Sequence, residues 1–395
     1  MHRTLLLSAF LVAQELTPQC GGTPAGSAPA APADNVQSIV VNAGPTGDYF
    51  NGAFTSVTIC APGQSAGCQT IDGVLVDTGS TGLRVLSSVL TIALPQQVGS
   101  SGAPIVECAQ FLDGFTWGPV QMGDVKLAGE QASSVPIQVI DERAFPNIPA
   151  ACSSSGVAED TLDKLGANAI LGIGLFRQDC GPACAFVGAS NPGLYYACPA
   201  TGCQPAAVSL SNQLQNPVAL FSRDNNGVVI QFPAVAAGGA FSVTGSLVFG
   251  IGTQSNNGLG SAKVLAVDAA GNITTIFGGQ SYPSSFIDSG SNGIYFLDAG
   301  TSGLPLCQDS ADFYCPATPQ ALSATNRGAN GVTIPAPFNV GNADTLDSRF
   351  SAFNEIAGPN PGGFDFGLGF FFGRSVFTAI EGQATAGGAG PYFAY

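Results

Sequence analysis

The sequence predicts a mostly β protein built from two similar lobes that are related by a pseudo-twofold axis. Glycine (53) and proline (27) are abundant and only 9% of the 395 residues are charged, which is typical of many short strands joined by tight turns. A short apolar strand that ends in an aspartate-containing turn occurs twice, and each copy is followed by a second apolar strand that ends in glycine. The length suits one large all-β unit of two lobes, or two to three smaller domains.

The N-terminal segment is typical of an export signal. An apolar run at residues 5–13 is too short to span a bilayer, and an Ala/Pro/Gly/Ser stretch follows Cys20. We therefore expect an exported protein of the periplasm, the outer membrane or the extracellular space. Cys20 is a candidate for a lipid anchor, and an unmodified thiol is an equal alternative because Gln19 stands where lipoprotein signals have a small residue. The predicted organisation is an export signal (1–20), a flexible tether (21–35), an N-terminal lobe (36–235) and a C-terminal lobe (236–395).

Cysteine usage agrees with export. Ten cysteines remain when Cys20 is set aside, and most of them lie close together in the sequence. Such spacings favour local disulfides in an oxidising compartment over a zinc site. The simplest pairing joins Cys60 to Cys68, Cys180 to Cys184, Cys198 to Cys203 and Cys307 to Cys315, with Cys108 and Cys152 as the remaining pair.

Missing residues exclude most catalytic chemistries. His2 is the only histidine and lies in the predicted signal, so a mature chain cannot use a Ser-His-Asp or Cys-His mechanism or the histidine ligands of the common zinc hydrolases. No glycine-rich phosphate loop is present, and a formal charge of −15 disfavours nucleic acid as a partner. We therefore expect no cofactor and no metal. Carboxylate chemistry remains, in a glycosidase or an aspartic protease.

The repeated motif supplies the carboxylates. Residues 71–84 read IDGVLVDTGSTGLR and place Asp77 between an apolar strand and a glycine turn, and residues 286–296 read FIDSGSNGIYF and do the same for Asp288. One such tetrapeptide is usually an ordinary β-turn, because Asp and Gly favour turns.

The second element of each repeat argues against a chance occurrence of the two aspartate turns. The segment AILGIG at residues 169–174 follows Asp77, and FGLG at residues 366–369 follows Asp288. In this alignment Gly172 corresponds to Gly369. Repetition on this scale predicts two similar lobes, and an axis between them would bring the two aspartate turns face to face.

On these motifs the sequence resembles the pepsin family of aspartic proteases. Further blocks similar to that family lie at residues 245–250, 368–377 and 390–393, and the resemblance covers roughly residues 36–395. The resemblance implies a bilobal pepsin-like acid protease fold. Blocks at residues 56–60, 76–84, 224–227 and 249–257 are more closely similar to an uncharacterised bacterial family of exported proteins.

The resemblance also implies the roles of the site residues. Asp77 and Asp288 would be the catalytic pair, sharing one proton because two adjacent carboxylates do not both ionise readily. Residues that would support the pair are Thr78, Gly79, Ser80, Ser289, Gly290 and Ser291. Thr78 and Ser289 would hydrogen-bond across the loops, the two other serines would bond the outer carboxylate oxygens, and the two glycines would let the loops approach closely.

Residues 110–120 are the candidate for the flap hairpin that covers the site in this family. The candidate flap or substrate residues are Phe111, Asp113, Gly114 and Trp117. For Trp117, packing within the hairpin is favoured over a contact with substrate. The family has Tyr where Phe111 falls and a Trp bonded to it where Arg84 falls, so a rewired flap is expected. Arg84 is either a surface charge or a cation lining the site.

Three functions are compatible with these observations. The first is an exported aspartic endopeptidase, acting as a monomer on peptide or protein substrates. The second is a pepsin-like protein of the cell envelope that binds peptide or glycan without cutting it. The third, a carboxylate glycosidase, has no need for symmetric aspartate turns. Both aspartates and their serines are present, which favours the peptidase.

Overall fold

Strands dominate the computed structural model, which describes residues 33–188 and 190–395. The predicted export signal, Cys20 and most of the tether lie outside these residues. Strands in the first half are β1 (Val36–Val41), β2 (Ala53–Cys60), β3 (Gln69–Asp77), β4 (Thr81–Leu86), β5 (Ile105–Gln110), β6 (Gly114–Leu127), β7 (Glu130–Ile140), β8 (Val157–Ala158), β9 (Ala169–Ile173), β10 (Tyr195–Ala197), β11 (Gln204–Pro205) and β12 (Gly227–Gln231). Those in the second half are β13 (Val243–Phe249), β14 (Val264–Ala266), β15 (Ile273–Phe277), β16 (Gln280–Ile287), β17 (Ile294–Leu297), β18 (Gln320–Arg327), β19 (Thr333–Val340), β20 (Ala357–Gly358), β21 (Asn360–Phe366), β22 (Ser375–Ala379), β23 (Ala384–Thr385), β24 (Gly388–Ala389) and β25 (Tyr392–Ala394).

Helices are few and short. The α-helices of the described residues are α1 (Ala150–Ser153), α2 (Leu162–Leu165) and α3 (Ala299–Ser302), and none of them could cross a membrane. Single 3-10 turns occur at Glu142–Ala144, Gly181–Ala185, Leu210–Asn212, Pro217–Leu220, Ala343–Thr345 and Leu368–Phe370. The prediction of a mostly β protein is confirmed.

A 16-stranded sheet combines strands from both halves of the chain, and a second sheet of seven strands comes from the second half. In the large sheet β1 lies between β2 and β13, with Val36 opposite Val248 and Val41 opposite Val243. This antiparallel pairing joins segments more than 200 residues apart. A large apolar cluster contains buried residues from both sheets, among them Val76, Phe249 and Phe366.

One strand arrangement occurs in each half. In the first half β9 runs parallel to β3 and antiparallel to β4, so that β9 lies between the strands on either side of the Asp77 turn. In the second half β21 runs parallel to β16 and antiparallel to β17, on either side of the Asp288 turn. The inner strands β3 and β9 end in buried apolar runs because both of their edges and faces are covered. The predicted internal repeat is thus present as two equivalent three-strand units.

The structure corrects one detail of the repeat. Asp77 lies opposite Gly172, as expected, but Phe366 lies opposite Ile287, and therefore Gly367, not Gly369, occupies the position equivalent to Gly172. β21 ends at Phe366 and the following residues Leu368–Phe370 form a 3-10 turn. The Phe-Gly-Leu-Gly segment fits the pattern in two registers that differ by two residues, and both place the same face inward.

Five disulfides join the ten cysteines in the predicted pairs, which confirms that assignment. Four of them close short local loops. The fifth, Cys108–Cys152, spans 44 residues and connects β5 to α1. Its cysteines pack in one apolar cluster with Trp117 and Tyr196, so this bond fixes the base of the β5–β6 hairpin.

Loop length should therefore decide how much each disulfide contributes to stability. Replacing Cys108 and Cys152 together by serine should cost about 4 kcal/mol, because a long loop is released in the unfolded chain, whereas the same change at Cys180 and Cys184 should cost about 2 kcal/mol. Urea unfolding of both double variants measures the difference. Equal losses would show that chain entropy does not govern these bonds.

Candidate active site

The two aspartate turns meet face to face. Asp77 is 6% exposed and Asp288 is 8% exposed. A Cβ added to Gly79 would lie 2.6 Å from Cγ of Asp288, and a Cβ added to Gly290 would lie 2.6 Å from Oδ1 of Asp77. Each carboxyl therefore rests against the glycine of the opposite turn, at a separation that any larger residue would prevent.

Each turn holds its own carboxylate in the same way. The Gly79 amide donates to Oδ1 of Asp77 over 2.7 Å, and the Ser80 hydroxyl donates to Oδ2. In the second turn the Gly290 amide donates to Oδ1 of Asp288 over 2.8 Å, and the Ser291 hydroxyl donates to Oδ2 over 2.9 Å. The inner oxygens are thus oriented by the backbone and the outer oxygens by serine.

Hydrogen bonds across the loops fix the two turns relative to each other. The Ser289 amide donates to Oγ1 of Thr78 over 2.9 Å, and the Thr78 amide donates to Oγ of Ser289 over 3.2 Å. The Ser289 hydroxyl in turn donates to the Val76 carbonyl over 2.8 Å. Both side chains are buried, so these bonds do not compete with water.

Asp288 is the member of the pair whose titration its surroundings change. Burial raises the pKa of Asp288 well above its usual range, and the nearby carboxylates of Asp77 and Asp365 raise it further. Asp77 lies within hydrogen-bonding reach of Asp288. Asp288 therefore keeps its proton to higher pH than an ordinary aspartate does, and the pair can share that proton.

The candidate flap is a hairpin of β5 and β6. The Phe111 amide donates to the Gly114 carbonyl over 2.8 Å and closes its turn, and Leu112 at the tip is 85% exposed. Asp113 lies in this turn and hydrogen-bonds Glu159, whose pKa is raised to about 8 by burial and by the Asp113 charge. This interaction places the hairpin turn beside the segment that follows β8.

Arg84 is a buried cation. It is 2% exposed, so the surface-charge interpretation is wrong, and its guanidinium pairs with Glu107 on β5 at 2.5 Å and with Asp179 at 3.7 Å. Burial lowers the pKa of Arg84, but the two acids outweigh this and raise it overall. Burial and Glu107 raise the pKa of Asp179, which accepts a 2.7 Å hydrogen bond from Tyr195. Arg84 is thus the cation of a buried network that anchors the hairpin strand.

Phe111 and Trp117 have different surroundings. The Phe111 ring lies 5.9 Å from the guanidinium carbon of Arg84, a cation–π contact at the place where the pepsin pattern has a Tyr–Trp hydrogen bond. Trp117 is 1% exposed, packs edge-on against Tyr196 and donates to the Phe145 carbonyl over 2.8 Å. It is a packing residue of the hairpin base.

Sequence reasoning missed several residues around the pair. Burial raises the pKa of Tyr49, and the charges of four carboxyls, including Asp77 and Asp288, raise it further. Asn51 joins the two halves, because its amide donates to the carbonyls of Asn292 and Phe353, both over 2.8 Å. A detectable signal existed only for Asp365, as a single acid inside the apolar strand GFDFG.

Comparison with known proteins identifies the fold and the family. A solved structure of an aspartic proteinase from Irpex lacteus is similar to this chain with a TM-score of 0.51 and 14% sequence identity, over 91% of this chain and 96% of that one. The protein thus has the pepsin-like fold. The family model described as "Protein of unknown function (DUF3443)" matches residues 31–395, and the chain belongs to this family. A search of curated protein sequences finds no match.

The buried network gives a test of how the hairpin is anchored. Arg84→Met retains most of the side-chain volume but leaves Glu107 and Asp179 without their cation, so the free energy of unfolding should fall by about 3–5 kcal/mol. Arg349→Met is the matched control, because it removes an exposed ion pair with Asp347 and should change stability little. Urea unfolding that shows equally small losses for both variants would contradict the assignment.

Proposed function

We propose that this protein is an exported aspartic endopeptidase that hydrolyses peptide bonds with Asp77 and Asp288. One observation carries the proposal: two buried carboxyls lie within hydrogen-bonding reach, and each is held by its own turn against the glycine of the other. This arrangement creates a pair that can hold one proton and one negative charge. Such a pair does not stabilise the fold, because two facing carboxylates repel each other. A structural role therefore does not explain it.

The chemistry follows from that protonation state. The ionised member of the pair accepts a proton from a water molecule as the water oxygen attacks the scissile carbonyl carbon, while the protonated member donates to the carbonyl oxygen. The product is a tetrahedral diol without a covalent bond to the enzyme. Proton transfer to the amide nitrogen then lets the C–N bond break, which yields an amine and a carboxylic acid. One water is consumed and the pair returns to its starting state.

The geometry favours this reaction over a glycosidase. Retaining and inverting glycosidases separate their carboxyl groups by about 5 Å or more, because the anomeric carbon or a water lies between them. Asp77 and Asp288 are instead within hydrogen-bonding reach, and a sugar ring has no place between them.

The proposed location outside the cytoplasm is supported by the five disulfides. Bonds of this kind persist in oxidising compartments and are rare in the cytosol. The substrate we propose is a peptide or an unfolded protein, since the hairpin turn leaves an exposed tip that can close over an extended chain.

The catalytic test compares three asparagine variants. Asp77→Asn and Asp288→Asn should each abolish turnover of denatured casein or a peptide library between pH 3 and 8, because asparagine keeps the shape and loses the titrating group. The double variant should be little worse than either single one. Asp72→Asn changes an exposed aspartate on the same strand as Asp77 and should retain full activity.

The possible outcomes separate the candidate functions. Cleavage that survives Asp77→Asn or Asp288→Asn would refute the mechanism. Saturable peptide binding by the wild type without any cleavage over the whole pH range would refute the enzyme and identify a binding protein instead. Circular dichroism and urea unfolding of each variant show whether a loss of turnover comes from a loss of fold.

A further inference from the structure

A third carboxyl lies beside the pair. Asp365 belongs to β21, where it is opposite Tyr295 on one neighbouring strand and Phe286 on the other. It is one residue before the end of β21 and has no exposed surface. The carboxyl is thus buried next to the Asp288 turn.

The internal repeat shows that packing does not require an acid at this position. Because Gly367 corresponds to Gly172, Asp365 corresponds to Ile170, which lies opposite Arg84 as Asp365 lies opposite Tyr295. Ile170 is buried in an apolar cluster. The first half of the chain therefore fills the equivalent site with an aliphatic side chain, whereas the second half buries a titratable group there.

Asp365 is also without a hydrogen-bond donor. Neither of its side-chain oxygens has a hydrogen-bond partner. Ser291 is close, but its one hydroxyl proton is donated to Oδ2 of Asp288, and the Tyr295 hydroxyl is donated to Asn292. An ionised carboxylate in this position would be desolvated without compensation, so the neutral form is the stable one.

The charged and titratable groups that face Asp365 come from three elements. Asp77 reaches it from the β3 turn, Asp288 from the β16 turn, and Tyr295 from β17. All of them are acids. A negative charge on Asp365 therefore lies near other acids, and it repels any negative charge that develops on the pair.

We propose that Asp365 is a third proton-holding carboxyl of the site, which acts through Asp288 and extends the protonated form of the pair toward neutral pH. The proposal rests on the proposed function. At acidic pH Asp365 is neutral and does not disturb the pair. When it ionises, its charge makes loss of the Asp288 proton more costly, so the general acid stays protonated at higher pH. Asp365 is a tuning residue, since it does not reach the reacting atoms.

The electrostatic directions agree with this geometry. Burial raises the pKa of Asp365 to about 7; the nearby Ser291 hydroxyl opposes this shift, and the Asp77 charge makes a smaller upward contribution. In the other direction, Asp365 is one of the groups that raise the pKa of Asp288, after burial and Asp77.

The pH profile of peptide cleavage tests the proposal. Asp365→Asn and Asp365→Ile both remove the charge, and Ile copies the residue of the other half. In both, the upper limb of kcat/KM against pH should move to lower pH by about one unit, because one repulsive charge near Asp288 is lost. Ile170→Leu alters packing at the equivalent position without a charge and should leave the limb in place. An unmoved limb in the Asp365 variants would overturn the proposal.

Stability provides a readout that does not need turnover. The folded protein keeps the Asp365 proton up to about pH 7, whereas the unfolded chain releases it near pH 4. This group therefore lowers the free energy of unfolding progressively between those pH values. The Asp365→Asn variant does not lose stability in this way. Its free energy of unfolding relative to that of the wild type should therefore rise from pH 4 to 7. Parallel stability curves would overturn the proposal.

A double-mutant cycle separates this proposal from the proposed function. If the wild type cuts no peptide, the endopeptidase is refuted, and the pH-dependent stabilities of Asp365→Asn, Asp288→Asn and the double variant still measure whether the two carboxyls are coupled. Non-additive effects would support the coupling of Asp365 to Asp288. Additive effects at every pH would overturn it whether or not the chain is an enzyme.

Discussion

The repulsion between two buried carboxyls is the constraint on which the rest of this structure depends. If both were ionised, Asp77 and Asp288 would repel each other, and burying either charge is costly, so the turns must be held together. The turns are held by reciprocal bonds between Thr78 and Ser289. Behind them, the antiparallel pairing of β1 with β13 and the bonds of Asn51 to the carbonyls of Asn292 and Phe353 join the halves of the chain.

The hairpin above the pair is anchored by charges instead of the aromatic hydrogen bond of the pepsin pattern. Arg84 on β4 pairs with Glu107 on β5, and Phe111 contacts the same guanidinium. Removing one partner of a buried ion pair is strongly destabilising, so the base of the hairpin depends on both Arg84 and Glu107. The turn at the tip also contains Asp113, which together with burial raises the pKa of Glu159 to about 8. Base and tip can therefore respond differently to pH.

Local sequence features predicted the parts of the molecule that depend on local chemistry. The aspartate turns were predictable because Asp-Thr-Gly and Asp-Ser-Gly favour tight turns after apolar strands, and the disulfides were predictable because most of the cysteines lie within eight residues of a partner. The assignment of Gly369 was wrong for a related reason: strands repeat every two residues, so a shift of two preserves the pattern. The buried state of Arg84 could not be predicted because its partners come from distant strands, whereas Asp365 left a signal as a single acid inside an apolar strand.

The central claim is that Asp288 holds a proton in the field of Asp77. The most direct measurement is a pH titration of aspartate carboxyl carbons by ¹³C NMR, with Asp288→Asn used to assign the Asp288 signal. The account predicts that Asp288 titrates well above the usual value of about 4, and that Asp77→Asn lowers its pKa because the neighbouring charge is lost. An Asp288 signal that titrates near 4 in the wild type and does not respond to Asp77→Asn would contradict it.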